Sequence, residues 1–163
     1  MSFLIAGDTH GTLDLAKVVQ YYEGRDAEFS KDEDYLIILG DVGVCGFSAL
    51  EEAATRAILR NLPVTTLFID GNHENFEHLN SYPIDEWNGG KVHFIESDII
   101  HLMRGQVFDI AGTTFFPLEE HIVLIECIEL KDFPGFPRNY QTTKSMRKGG
   151  ITWKDVDLRW ITS

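Results

Sequence analysis

Two cysteines, Cys45 and Cys127, are all the sulfhydryl this chain of 163 residues carries, and their wide separation argues against a disulfide framework. No apolar run reaches the length needed to span a bilayer and no secretory leader opens the chain, so a soluble cytoplasmic domain is expected. Basic residues are scarce, 14 Lys and Arg against 26 Asp and Glu, and the net charge of −12 disfavours bulk nucleic acid or an anionic membrane as partner. Histidine stops at His121, leaving no imidazole in the last quarter of the chain. At this length a single domain with a sizeable core is expected.

What is present is concentrated in three short strings: GDTHG at Gly7 to Gly11, GDVG at Gly40 to Gly43 and GNHE at Gly71 to Glu74. Each follows an apolar run of buried-strand character, Phe3 to Ala6, Tyr35 to Leu39 and Val64 to Ile69. Helical spacing lies between them. Leu15, Val18, Val19 and Tyr22 form one stripe, and Leu50, Ala53, Ala57 and Ile58 suggest a second on a helix from about Ser48 to Asn61. Strand, helix, strand, helix, strand builds a parallel sheet with right-handed crossovers, and all three strings then fall outside the carboxyl ends of the strands, where open α/β sheets bind ligands.

Asp8, His10, Asp41, Asn72 and His73 are thereby expected to meet. Two carboxylates, two imidazoles and a carboxamide offer mixed oxygen and nitrogen donors, suited to Mn²⁺, Fe or Zn²⁺ rather than Ca²⁺ or a thiolate site. An aspartate can bridge two cations, and paired cations activate water and clamp the oxygens of a phosphoryl displacement. Taken singly, each residue also has an ordinary reading as turn or solvated side chain. Glu74 reads as an acid at a helix start, which is favourable without a catalytic duty. His93 and His101 read as surface or cross-strand residues, Cys45 as a small buried hydrophobe, and His78 and His121 have no motif around them.

The ordered triple resembles the calcineurin-like metallophosphoesterase superfamily over residues 1 to about 117. The resemblance implies a β-sandwich flanked by helices, with the N-terminal βαβαβ half complete and the second half incomplete. It also implies a pair of divalent metal ions, Mn²⁺ or Fe or else Zn²⁺, and hydrolysis of a small phosphomonoester or phosphodiester. By position, Asp8 and His10 resemble ligands of the first metal, Asp41 the bridging ligand and Asn72 a ligand of the second, while His73 resembles the histidine that contacts phosphate and assists the leaving group. Three alternatives stand beside it: a non-catalytic scaffold with this fold, a nonfunctional fragment, and a serine/threonine-type protein phosphatase. The latter group carries Asp-Arg-Gly in its second motif, where this chain has Asp41 followed by Val42, Gly43 and Val44.

Composition changes near Pro117: residues 1 to 117 carry the whole net charge, and residues 118 to 163 have equal numbers of acids and bases. Where the superfamily continues with a glycine-rich Phe-Gly-Gly-Ala segment, an Arg-containing stretch and Trp-Pro, this chain reads PLEEHIVLIECIELKDFPGFPRNYQ. Back-translating Leu118 to His121 as TTG GAG GAG CAT and starting one base earlier gives Phe-Gly-Gly-Ala. Permitted codons then restore an Arg-containing run and Trp-Phe-Pro. Residues 118 to 163 are accordingly expected to be an aberrant, poorly folded tail derived from a frameshift, with Ile122 to Ile128 pairing as a strand or adding an exposed edge. The superfamily draws further histidine ligands from later segments, which this chain lacks, so weakened metal binding and impaired activity are expected.

Overall fold

A computed structural model describes residues 1–7, 9–46, 48–118, 121–124 and 158–161; of Leu13 and of the last two segments it describes the backbone. The first three strands are β1 (Ser2–Ala6), β2 (Asp34–Leu39) and β3 (Thr65–Ile69), linked by helices α1 (Thr12–Tyr22) and α2 (Ala49–Arg60). Then follow a short helix α3 (Phe76–Leu79) and strands β4 (Ile84–Trp87), β5 (Gly90–Glu96), β6 (Ile99–Leu102), β7 (Phe108–Ile110) and β8 (Thr113–Leu118). Two tail segments are also strands, β9 (His121–Leu124) and β10 (Leu158–Ile161).

The strands form two sheets. A seven-stranded sheet has the order β10-β1-β2-β3-β6-β5-β4, and a three-stranded antiparallel sheet the order β7-β8-β9. β10, β1, β2, β3 and β6 run parallel, in register Phe3↔Leu158, Phe3↔Tyr35, Tyr35↔Thr65 and Thr66↔Ile99. β5 and β4 close the edge antiparallel.

The period-2 geometry of a strand sends alternate side chains to opposite faces, and both faces of the large sheet are buried. Leu4, Ala6, Leu36, Ile38 and Phe68 pack with Leu15, Val18 and Tyr22 of α1, Leu59 of α2 and Leu79 of α3. Phe3, Ile5, Ile37, Leu67 and Ile100 pack instead with Phe108, Ile110 and Phe115 of the small sheet. The sandwich expected from the sequence is therefore present, and its second sheet is the smaller one among the described residues. Strand β9 pairs antiparallel with β8 through Leu118↔His121 to Phe115↔Leu124, so the expected pairing of the run after Ile122 occurs over its first half. Residues 125–128 and the remainder of the tail to residue 157 lie outside the described residues.

Helix α2 is capped as its sequence prescribes. Ser48 accepts from Glu51 N at 3.4 Å, Glu51 and Glu52 occupy the first turn, and Arg60 the last. Its inward face corrects the sequence reading. Thr55 and Leu59 are buried, while Leu50 is 82% exposed and Ala53 and Ala57 face solvent; of the expected stripe Ile58 packs, half-buried, against the core. The buried face carries polar residues because it supports loops: Arg56 donates from Nε and Nη2 to the Val44 carbonyl at 2.9 and 2.6 Å. In α1 the predicted stripe holds for Leu15, Val18 and Tyr22, whereas Val19 is exposed at its margin. Strand β4 has no counterpart in the sequence reading, since Ile84 to Glu86 are exposed and mostly polar; the Asn88-Gly89 turn, with φ of 48° and 91°, is what folds it back on β5.

Candidate metal centre

The parallel order β1-β2-β3 brings the ends of three strands to one rim, and each continues directly into a glycine loop. The loops touch through backbone. A Cβ added to Gly71 would stand 2.1 Å from Asp41 Oδ1 and 2.3 Å from Asp41 N, and one added to Gly43 would stand 2.9 Å from Gly11 Cα. Contacts under 3 Å leave no room for a side chain, so glycine at these two positions is what allows the three loops to close on one another.

Asp41 sits at the centre and is buried, 4% exposed. Its Oδ1 accepts from His73 N at 2.8 Å, and its Oδ2 faces His10 Nδ1 at 3.9 Å. The rings of His10 and His73 meet edge to face at 5.8 Å. His10 and Asp41 both hold positive φ, 43° and 40°, a costly conformation for residues bearing a Cβ. Among the described residues Asn88 and Ala111 also hold positive φ, each immediately before a glycine in a tight hairpin turn.

His10, Asp41 and His73 are thus brought together as the sequence predicts. Asn72 lies exposed on the same loop, between Gly71 and His73. Asp8 lies outside the described residues. Among the described residues no three His, Cys, Asp or Glu side chains cluster closely enough to hold a metal ion. The fit to a cation rests on the His10–Asp41 pair: an imidazole nitrogen and a carboxylate oxygen at 3.9 Å are beyond hydrogen-bond reach, and those donor types suit a borderline metal between them.

Glu74 corrects the sequence reading. The helix begins at Phe76, with Asn75 as its cap. Glu74 is 3% exposed, and its Oε1 accepts from Val42 N at 2.7 Å and Gly43 N at 3.3 Å. Burial pushes its carboxyl up to about 7; the two backbone N–H groups pull the other way, and the charges of Asp41 and Asp70 add to the rise. Glu74 therefore laces the third loop to the second, as does Asn75 N, which donates to the Cys45 carbonyl at 2.7 Å. Charge at Glu74 is visible in the sequence; its burial is not, because it comes from closure of the third loop on the second rather than from a helix start.

Cys45 is fully buried, and burial pushes its thiol up to about 12, which keeps it a small hydrophobe as expected. His93 and His101 are cross-strand partners stacked at 5.4 Å, and both are buried rather than at the surface. His78 Nδ1 lies 3.0 Å from Glu52 Oε1. For His121 the backbone alone is described.

A family model described as calcineurin-like phosphoesterase matches residues 1–161. The chain belongs to the calcineurin-like phosphoesterase family. The match continues past residue 117, through the charge-balanced tail, to the end of β10. No curated protein and no solved structure matches. The chemistry of the calcineurin-like phosphoesterases is metal-dependent hydrolysis of phosphoesters. Among the described residues no helix is long and apolar enough to cross a membrane.

Proposed function

We propose that this calcineurin-like phosphoesterase hydrolyses a small phosphomonoester or phosphodiester, with Asp8, His10, Asp41 and Asn72 as metal ligands and His73 as the residue that meets the phosphate. The observation that carries the reading is the convergence on Asp41 of His10 Nδ1 at 3.9 Å and His73 N at 2.8 Å. Two divalent cations, Mn²⁺ or Fe or else Zn²⁺, would supply the positive charge that acidifies an attacking water and neutralises the phosphate.

The chain's own groups do the rest. Asp41 presents Oδ2 toward His10 because His73 N occupies Oδ1, so the carboxylate is oriented before any cation arrives. The hydrogen bond from its own main chain fixes His73 beside Asp41, leaving the imidazole exposed at the rim, where it can contact the phosphate and deliver a proton to the leaving oxygen.

Mn²⁺ titration, followed by hydrolysis of an aryl phosphate and an aryl phosphodiester, tests the reading. Binding with turnover that is lost in Asp41→Asn supports the enzyme. A second reading is a phosphoesterase fold that binds metal weakly and turns over little or nothing. Metal binding without hydrolysis of either ester would select it. We also propose a frameshift origin for residues 118 to 163, against which the family match through residue 161 stands: sequencing the gene through the codons for Phe116 to Leu118 tests it, a family-like frame downstream supporting the shift and an unbroken reading without one rejecting it. A cytoplasmic location and a free small-molecule substrate complete the reading.

A further inference from the structure

One buried carboxylate beside the site has no part in the scheme above. Asp70, 5% exposed, follows the last residue of β3 and immediately precedes Gly71. Its Oδ1 accepts from His101 Nε2 at 2.9 Å, and its Oδ2 accepts from Arg104 Nε at 2.6 Å and from Arg104 Nη2. His101 lies on β6, the parallel neighbour of β3, and Arg104 in the turn that follows. His101 is itself immobilised, stacked on His93 at 5.4 Å and tilted against Phe68 at 5.1 Å. The Arg104 guanidinium stands 5.9 Å from the Phe76 ring of α3.

From Asp70 onward the loop is tied to the second motif at successive points. Gly71 abuts Asp41, His73 N donates to Asp41 Oδ1, Glu74 Oε1 takes Val42 N and Gly43 N, and Asn75 N donates to Cys45 O. All these ties face β2. The hydrogen bonds to Asp70 pull from the opposite side, from β6, so the loop is held between two neighbours.

We propose that Asp70, gripped by His101 and Arg104, is a positioning residue that sets the third glycine loop against Asp41. The fork of Arg104 fixes the carboxylate in one plane, and the carboxylate fixes the Asp70–Gly71 peptide one step from the Asp41 contact. Release of the grip lets Gly71 retreat, and the His73 N–H loses Asp41. The consequence for metal affinity rests on the site reading given above; the consequence for the His73 amide does not.

Amide exchange in the metal-free chain therefore tests the clamp by itself. Asp70→Asn and Arg104→Gln are expected to speed exchange at His73 by about tenfold or more beyond whatever change global destabilisation brings at Ile5 and Ile37 in the central strands, with Arg104→Lys between them and wild type. Arg104→Gln alters a partly exposed side chain and keeps the experiment open should Asp70→Asn unfold. Unchanged exchange at His73 in the folded variants overturns the proposal. In a parallel titration, Mn²⁺ affinity should fall about 10–100-fold in the same variants, the range for groups that orient metal ligands. Variants that bind Mn²⁺ as tightly as wild type overturn the positioning role, whereas a wild-type chain with no Mn²⁺ affinity overturns the metal reading and leaves the exchange data to judge the clamp.

Discussion

Gly71 presses on Asp41 so closely that a Cβ there would lie 2.1 Å from the carboxylate oxygen that receives the His73 amide. The backbone of one motif is thus the wall against which the side chain of another is oriented.

Gly71→Ala should consequently displace Asp41 or the loop, because two of the three atoms met by the new methyl belong to the Asp41 carboxylate and the third is its backbone nitrogen. A cost of about 1–3 kcal/mol in urea unfolding is expected, as for overpacking elsewhere. Mn²⁺ binding should suffer more than stability does, and a variant with native Mn²⁺ affinity would contradict the wall.

Glu74→Ala should strand the buried N–H of Val42 and free the part-buried N–H of Gly43, at a cost of about 1–3 kcal/mol. Glu74→Gln keeps a carbonyl oxygen for both and should lose less. Chemical denaturation of the pair distinguishes lacing by Glu74 from a purely electrostatic role, for which the order would not hold.

Two carboxyls set opposite pH trends in the metal-free chain. At Asp70 burial raises the pKa, but the hydrogen bonds and charges of His101 and Arg104 outweigh it and hold the group at about 2 against an ordinary 3.8. Its stabilisation, on the order of 2 kcal/mol, is present above pH 3.8 and is lost as pH falls toward 2. Glu74 moves the other way, from 4.5 to about 7, so its contribution is full below pH 4.5 and is lost as pH rises through 7. Unfolding free energy measured between pH 4.5 and 7 should therefore fall by on the order of 3 kcal/mol in wild type relative to Glu74→Gln; parallel profiles would refute the assignment.

Thr55 is fully buried on α2, and its hydroxyl has no hydrogen-bond partner among the described residues. Thr55→Val replaces it with a methyl of nearly equal volume and should raise stability by up to about 1 kcal/mol. A lowered unfolding midpoint would instead reveal a water or ligand bonded to that oxygen.

Legibility in the sequence followed the strength of the local signal. Strands β1, β2 and β3 and both long helices were readable because buried parallel strands are continuous apolar runs and the helices have apolar periodicity. The facing of α2 was not readable. Ala53 and Ala57 match a helical stripe as well as Thr55 and Leu59 do, and only the loops around Val44 decide that the polar face with Arg56 turns inward. Strand β4 escaped for a similar reason, since an exposed edge strand has little apolar content to betray it.

His10, Asp41 and His73 could be placed together from order alone, because parallel strands deliver their following loops to one rim whatever the details of packing. The sequence by itself therefore determined the three-strand scaffold, the shared rim and the kind of donor gathered there. The tertiary structure alone decided how those loops are held: Glu74 buried under the second loop, Gly71 against Asp41, and Asp70 clasped by His101 and Arg104. Those contacts join residues about 30 positions apart, and which partner a buried carboxylate finds depends on strand order and loop closure, information that no local pattern in the chain contains.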